Sequence, residues 1–187
     1  MPVEIEIKLK VPDLAPIREQ LQSLGASRVG EVVETNIFFD TLDRALMGSD
    51  CGLRLRRNRS ENKPEKLVLT YKGPREEGPV KRREEIEIVT DSFEHTVQLL
   101  ARLGFTQNLS FEKHRETWTL EKATVELDTL PELGQFVEIE ARSQAQVLRL
   151  RDKLGLKALE SIPSSYPELV SRHLNERKPR QTTLNFA

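Results

Sequence analysis

The sequence predicts an α+β domain built on a closed eight-stranded antiparallel β-barrel, with helices packed on its outside. About eight segments alternate regularly in side-chain type, and most follow one another through short turns, which is typical of antiparallel pairing. Segments with helical apolar stripes interrupt the strands, and such stripes need an apolar surface to cover. The 187 residues fit a single domain, which we expect over 1–178, followed by a polar tail over 179–187.

The first predicted strand covers residues 3–9 and alternates strictly. One face carries Glu4, Glu6 and Lys8, whereas the other face carries only apolar side chains. An ordinary half-buried strand would turn its charged face to water. A helix follows over 12–25, where a proline begins the helix and a glycine ends it.

The next three predicted strands cover 28–40, 52–56 and 66–72. The first is rich in β-branched and aromatic residues, which favour strands. The second alternates like the N-terminal strand, with arginines in the positions that glutamates held there. The third ends at a Gly-Pro break. The charged residues that these two later strands place on one face are Arg54, Arg56 and Lys72.

A further strand over 81–88 precedes a helix over 93–103 and a strand over 110–120. Ser92 is a suitable N-cap for the helix, and Gly104 is a suitable stop. The strand over 110–120 has a weak apolar alternation. The charged residues that share one face in these two strands are Arg83, Glu85, Glu87, Lys113 and Arg115.

Two short strands over 125–128 and 136–141 complete the predicted sheet. Each carries a pair of acids two residues apart, so each pair lies on one strand face. Helices over 143–154 and 166–175 follow. The acids of the two strands are Glu126, Asp128, Glu138 and Glu140.

The charged faces of the strands are predicted to point into the barrel. The apolar helix stripes then have an apolar outer wall to pack against. Dry burial of so many charges would cost too much, so the interior must be wet, internally paired and filled by a ligand. Arginine and lysine suit a phosphate chain, and carboxylates suit divalent cations. This pattern therefore predicts a site for a polyphosphate together with a metal.

The composition narrows the class of protein. Charged residues make up 32% of the chain, but the net charge is only -1, which argues against a nucleic-acid binder. No apolar run reaches membrane-spanning length. One cysteine, Cys51, fits a reducing compartment, so we expect a cytoplasmic protein. The three histidines are scattered, so a metal would be held by carboxylates, as Mg²⁺ or Mn²⁺ is.

Taken in order, these residues resemble the motifs of the CYTH superfamily, the triphosphate tunnel metalloenzymes, which include class IV adenylyl cyclases, thiamine triphosphatases and inorganic triphosphatases. The N-terminal Glu-x-Glu-x-Lys signature is matched by Glu4, Glu6 and Lys8. The resemblance covers essentially the whole chain and implies a closed antiparallel tunnel. The later motifs are matched, in the family's order, at 52–56, 72, 83–87, 113–115, 127–128 and 136–140.

The resemblance also implies roles for individual residues, with Mg²⁺ or Mn²⁺ as cofactor and ATP or another triphosphate as substrate. The expected metal ligands are Glu4, Glu6, Asp128, Glu138 and Glu140. The expected triphosphate-binding residues are Lys8, Arg54, Arg56, Lys72, Arg83, Lys113 and Arg115. The expected catalytic residues are Glu4, Glu6, Lys8, Lys113 and Arg115. Further acidic lining is expected from Glu85, Glu87 and Glu126.

Within the superfamily, residues 127–140 and 163–170 look most like the class IV adenylyl cyclase branch, which implies conversion of ATP to cyclic AMP and pyrophosphate. The relatives also suggest a homodimer. An inorganic or thiamine triphosphatase would use the same tunnel, with water attacking the terminal phosphorus. Two further alternatives are a non-catalytic module that binds polyphosphate or nucleotides, and a barrel whose interior is apolar and whose charges face solvent.

Overall fold

The computed structural model describes residues 5–61, 63–75, 83–177 and 181–186, and Glu4 lies outside them. The chain forms an antiparallel sheet with helices, so the predicted α+β class is confirmed. Its strands are β1 (Ile5–Val11), β2 (Ser27–Asp40), β3 (Gly52–Ser60), β4 (Lys63–Lys72), β5 (Glu85–Thr90), β6 (Thr106–Leu120), β7 (Ala123–Leu130), β8 (Gly134–Ala141) and β9 (Thr183–Leu184). Its helices are α1 (Ala15–Ser23), α2 (Ala45–Gly48), α3 (Phe93–Arg102), α4 (Gln144–Lys153) and α5 (Tyr166–Arg177).

The strands form one sheet in the order β1-β8-β7-β6-β2-β3-β4-β5, with antiparallel neighbours throughout. Among the described residues no ladder joins β5 to β1, so closure of the sheet into a barrel stays a prediction. Side chains from both end strands, β1 and β5, nevertheless line the same cavity. The sheet is therefore strongly curled.

Two helices cover the apolar face of one half of the sheet. Ile17 and Leu21 of α1 and Val147 and Leu150 of α4 pack against the apolar side chains of β1, β6, β7 and β8. On the other half, Leu100 of α3 packs against β2 and β3. The prediction that helices cover an apolar outer wall is therefore correct for these three helices.

Helix α5 lies on the opposite face of the sheet, which differs from the expectation that all helices pack outside. Tyr166, Val170 and Leu174 pack against Phe111 and Phe136. These two rings stand on the charged face, two residues from a lysine and a glutamate that face the cavity. The apolar ends of that face therefore accept the apolar stripe of α5.

The C-terminal segment also differs from the predicted polar tail. Thr183 and Leu184 form β9, which runs parallel to β6, and the Leu184 side chain is buried. The Ser110 amide donates a hydrogen bond to the Thr182 carbonyl oxygen at 2.7 Å. Burial of one leucine and these ladder bonds fix a short segment that has no strand pattern of its own. No helix among the described residues combines the length and the apolar character that a membrane span requires.

One irregularity of the sheet lies between β2 and β6. Phe38 pairs with Leu109, but Phe39 pairs with Gln107, so Asn108 is an extra residue on β6. Such a β-bulge bends the strand and redirects a side chain. Here Asn108 lines the cavity.

Candidate active site: a cavity with an acidic and a basic wall

The charged strand faces enclose a cavity of about 1210 Å³. Of the predicted site residues that the structure describes, only Asp128 is missing from the lining, because it is fully buried behind it. The prediction that the charged faces point inward is therefore borne out for the described residues. The site residues that line the cavity are Glu6, Lys8, Arg54, Arg56, Lys72, Arg83, Glu85, Glu87, Lys113, Arg115, Glu126, Glu138 and Glu140.

Strand register gathers four acids into an acidic wall on β1, β8 and β7. Glu6 stands directly opposite Glu140, and Glu126 stands directly opposite Glu138. Directly opposed side chains in an antiparallel ladder are close neighbours. Carboxylates from strands that are far apart in sequence thus form one continuous wall.

Two acids of this wall form a group of three carboxylates with the buried Asp128. One oxygen atom from each of Glu126, Asp128 and Glu138 lies within 4.8 Å of the others. The predicted metal set contained Asp128 and Glu138, whereas Glu126 was expected only to add acidic lining. An all-oxygen set of this kind suits Mg²⁺ or Mn²⁺. These residues therefore fit the divalent ion that the sequence implies.

Arg115 joins the three carboxylates. Its Nε and Nη2 donate to the two Asp128 oxygens at 2.7 and 2.6 Å, and its guanidinium also pairs with Glu126 and Glu138. Burial opposes the charge of Arg115, but Asp128, Glu126 and Glu34 outweigh it and hold the Arg115 pKa well above its ordinary value. Arg115 stays charged throughout the physiological pH range.

Glu126 has a strongly perturbed pKa. Burial of its side chain, which is 19% exposed, raises the pKa to about 8; the charge of Arg115 opposes the rise and that of Asp128 adds to it. Around neutral pH, Glu126 therefore carries a proton in much of the population.

The basic wall comes from β3, β4 and β6. Arg54 and Lys113 are buried, while Arg56 and Lys72 are half-buried. Burial and the neighbouring charge of Arg56 lower the Arg54 pKa to about 9. The Arg54 Nε has no hydrogen-bond partner among the described residues. A cation that is buried, under-bonded and close to another cation is suited to an anionic ligand.

Lys72, Arg54 and Arg83 also have partners within the protein. Lys72 pairs with Glu85, and Arg54 lies 3.7 Å from Glu87. Arg83, expected to bind the triphosphate, donates to the carbonyl oxygens of Gly73 and Asp50 at 2.8 and 2.7 Å. The Arg83 side chain therefore lines the cavity and also holds two backbone segments together.

Sequence reasoning missed Glu34, a buried acid on β2. Its carboxylate lies 3.3 Å from Arg56 Nη1 and 3.3 Å from Lys113 Nζ. Burial opposes its charge, but Arg56, Lys113 and Arg115 outweigh burial and hold the Glu34 pKa well below its ordinary value. The sequence contains one indication that Glu34 faces the site: Glu34 and Asn36 are two residues apart on β2 and so share a strand face. The Asn36 amide lies 3.4 Å from the Glu34 carboxylate.

Tyr166, at the start of α5, was also missed as a site residue. Its hydroxyl donates to Asp128 Oδ2 at 2.7 Å. The ammonium groups of Lys8 and Lys113 lie 4.0 and 4.8 Å from its ring centroid. Burial and the charges of Asp128 and Glu138 raise the Tyr166 pKa well above its ordinary value. Tyr166 therefore orients Asp128 and stays protonated.

The rim of the cavity contains an ion-pair cluster that no sequence pattern indicated. Arg75 Nε donates to Asp50 at 2.9 Å, and its two terminal nitrogens donate to Glu168 of α5 at 3.2 and 3.0 Å. Arg172 of α5 lines the same cavity. Helix α5 is thus attached to the rim by charge as well as by its apolar stripe.

The CYTH domain matches residues 2–166 of the chain. A protein of Methanocaldococcus jannaschii named "Putative adenylate cyclase" is 33% identical over 138 residues, which span 74% of this chain and 76% of that protein. The solved structure of the PH1819 protein of Pyrococcus horikoshii has a TM-score of 0.78 at 30% identity, covering 91% of this chain and 99% of that chain.

A more distant structural relative has a functional description. A Hippeastrum protein described as a "putative adenylyl cyclase" with a dominant triphosphatase activity has a TM-score of 0.71 at 21% identity. The match covers 92% of this chain and 96% of that chain. At this identity the likeness shows the fold.

Proposed function

The chain belongs to the CYTH domain family, and from that premise we propose that it is a divalent-metal-dependent enzyme that acts on a triphosphate-bearing substrate inside its cavity. The observation that carries the proposal is the division of the cavity into an acidic wall on β1, β7 and β8 and a basic wall on β3, β4 and β6. A metal–triphosphate complex has the same division, with cation on one side and phosphate oxygens on the other.

In this proposal the metal is held by Glu126, Asp128 and Glu138, with Glu6 and Glu140 beside them. A bound Mg²⁺ or Mn²⁺ supplies charge stabilisation at a phosphoryl oxygen. Glu4, the remaining predicted ligand, lies outside the described residues. The donor chemistry fits because every candidate ligand atom is a carboxylate oxygen.

The basic wall binds and orients the phosphate chain in this proposal. Arg54 and Arg56 are neighbours on one strand face, and Lys113 lies near them because it pairs with Glu34, as Arg56 does. Their charges offset the charge that develops on the phosphate oxygens as a bond to phosphorus breaks. Lys8, paired with Glu138 at 3.2 Å, connects the basic set to the acidic wall.

The reaction that we propose is the class IV adenylyl cyclase type. The ribose 3′-oxygen forms a bond to the α-phosphorus, the bond from that phosphorus to the pyrophosphate oxygen breaks, and the hydroxyl proton passes to water. The 33% identical relative named for this activity supports the choice. Closure of the curled sheet into a tunnel belongs to the same proposal, since β1 and β5 both line the cavity.

The test is to incubate the full chain with ATP, and separately with tripolyphosphate, in Mg²⁺ and in Mn²⁺. Products are resolved by chromatography and phosphorus NMR. Cyclic AMP with pyrophosphate is the expected result. Orthophosphate from either compound would instead identify a triphosphatase, and metal-dependent binding without product would identify a binding module. Absence of both turnover and binding would overturn the proposal.

A further inference from the structure

Arg44 and Arg172 differ from the other cations that line the cavity. Each of the other described lysine and arginine side chains in the lining contacts an acid or a backbone carbonyl oxygen. No ion pair or hydrogen bond joins the side chain of Arg44 or of Arg172 to another described residue. Both residues are exposed. Their charges therefore act at the edge of the cavity without a paired counter-charge.

The backbone at Arg44 is held in an uncommon conformation. Arg44 has a φ of 61°, in the left-handed region that residues with a Cβ atom rarely adopt. Such a costly conformation persists only where the surrounding structure determines it. Here the buried Asp40 carboxylate accepts hydrogen bonds at 2.8, 2.9 and 3.0 Å from the backbone amides of residues 41, 46 and 47, before and after Arg44. These bonds hold the loop over 41–51, which presents Arg44 at the cavity edge.

Arg172 lies on the face of α5 that turns toward this loop. Arg75 pairs both with Asp50 of the loop and with Glu168 of α5, so the loop and the helix are neighbours. Arg172 follows Glu168 by four residues, and residues at that spacing share a helix face. Because Arg44 and Arg172 are exposed and also line the cavity, the cavity reaches solvent at both side chains. We call the gap between the loop and α5 the cavity mouth.

The acids at the cavity mouth do not cancel the charges of these two arginines. Asp50 and Glu168 are already paired with Arg75. Glu176, which lies two turns after Glu168 on α5, lines the cavity, is exposed and has no partner among the described residues. The unpaired charges that the structure describes at the mouth are therefore two cations and one anion. They leave an excess of positive charge.

Exposed charges of this kind act mainly on the approach of a ligand. Water screens their direct contacts, so an exposed ion pair adds little to affinity. They still attract an approaching ion over a distance, because the Debye length is about 10 Å at 0.1 M salt. Charges at the edge of a binding surface change the association rate and its salt dependence. An uncompensated positive rim therefore favours the arrival of polyanions.

We propose that Arg44 and Arg172 form an electrostatic entrance at the cavity mouth, through which phosphate-bearing polyanions reach the basic wall. The two arginines accelerate the encounter and do not hold the bound ligand. Glu176 opposes them. The inference rests on the proposed function and adds to it the route by which the substrate enters and the residues that set the rate of entry.

The test measures association and dissociation rates by stopped-flow fluorescence in Mg²⁺. The probe is 2′-deoxy-ATP with a fluorescent N-methylanthraniloyl group on its 3′-oxygen, which blocks the nucleophile of the proposed reaction. At about 0.01 M salt, where the Debye length is about 30 Å, we expect Arg44→Gln and Arg172→Gln each to slow association about threefold and the double variant about tenfold. At about 1 M salt, where the Debye length is about 3 Å, these differences should vanish. Dissociation rates should keep their wild-type values.

Glu176→Gln is the reciprocal variant, because it removes the unpaired acid of the same mouth. It should speed association at low salt, an effect that loss of a structural contact would not produce. Arg102→Gln is the matched control. It removes the same charge from an exposed position on α3 outside the cavity lining, and should leave the association rate unchanged. Circular dichroism of all variants checks their folding.

The outcomes separate this inference from the proposed function. Unchanged association in the double variant, a loss that persists at high salt, faster dissociation in place of slower association, or an equal loss in Arg102→Gln would overturn the entrance and leave the triphosphate function standing. If the chain binds tripolyphosphate but not the labelled nucleotide, tripolyphosphate with a terminal fluorescent label is the probe for the same series. A chain that binds neither compound would overturn both proposals.

Discussion

The Tyr166 hydroxyl donates a 2.7 Å hydrogen bond to the fully buried Asp128 carboxylate, which attaches α5 to the acidic wall. Asp128 belongs to the proposed metal set, so Tyr166 acts on the site through Asp128. The ring makes a separate contribution, because Lys8 and Lys113 lie against it. Ring and hydroxyl can therefore be tested separately.

Tyr166→Phe removes the hydroxyl and keeps the ring. We expect the metal concentration for half-maximal activity to rise about tenfold, because partners that orient metal ligands have effects of this size. The free energy of unfolding should fall by roughly 1.5–3 kcal/mol, the range for a hydrogen bond to a charged group. The control is Tyr71→Phe. Tyr71 is the second tyrosine of the chain, and it does not line the cavity. An unchanged metal dependence in Tyr166→Phe would contradict the orienting role.

Glu6→Gln tests the acidic wall on β1. The change preserves size and removes a charge beside Glu140. Metal-dependent turnover should fall by at least about 100-fold, because a proposed ligand is lost. Circular dichroism should show the wild-type fold. Glu19→Gln, on the exposed side of α1, should keep full activity. A Glu6→Gln variant with the wild-type rate would remove Glu6 from the metal set.

Glu126 predicts a pH effect on stability. Its pKa is raised to about 8 in the folded protein, mainly by burial, and is about 4.3 in the unfolded chain. Its contribution to stability is therefore complete below about pH 4.3 and is lost as the pH rises through about 8. Glu126→Gln imitates the protonated form, so this variant should gain stability relative to wild type between pH 6 and 9 in the presence of a chelator. Parallel unfolding curves against pH would contradict the raised pKa.

Glu34→Gln tests the buried acid of the basic wall. The Glu34 pKa is held well below its ordinary value, so its contribution to stability is present above the unfolded pKa of about 4.3 and is lost as the pH falls. At neutral pH we expect a loss of about 3 kcal/mol in the free energy of unfolding, because Arg56 and Lys113 lose a buried counter-charge.

The control for Glu34→Gln is Glu65→Gln, which removes the exposed partner of the half-buried Arg57. That change should cost less than about 1 kcal/mol. Denaturant titrations of both variants at pH 7 provide the comparison. A loss at Glu34 no larger than the loss at Glu65 would show that the buried pairing does not stabilise the fold.

The alternation of charged and apolar residues was sufficient to predict which strand faces line the cavity. It placed Glu6, Arg54, Lys113 and Glu138 correctly, because side chains two apart on a strand share a face. Alternation could not show which acids meet, since that depends on register between strands. The structure was therefore needed to show that Glu126 lies close to Asp128 and Glu138.

The residues that the sequence missed depend on contacts over long distances in the chain. Tyr166 reaches Asp128 across 38 positions, and no pattern near Tyr166 indicates this contact. Glu34 lies in a strand rich in β-branched and aromatic residues. The partners of Glu34, Arg56 and Lys113, belong to β3 and β6. The predicted cytoplasmic location and homodimer stay predictions.

Arg115 also predicts the result of removing metal. The carboxylates of Glu126, Asp128 and Glu138 are already paired with its guanidinium, so their mutual repulsion is offset within the protein. We expect a chelator to abolish turnover while leaving the circular dichroism spectrum unchanged. Unfolding on chelation would contradict this internal charge balance.

The Arg115 guanidinium also affects which ions can bind the carboxylates of Glu126, Asp128 and Glu138. Any ion that takes these oxygens must compete with a cation that is covalently part of the chain and cannot diffuse away. Sodium and potassium carry one charge, no more than Arg115 does, and they cannot donate hydrogen bonds as it does. A divalent ion brings twice the charge to the same oxygens. We therefore expect the cavity to bind divalent ions in preference to monovalent ones.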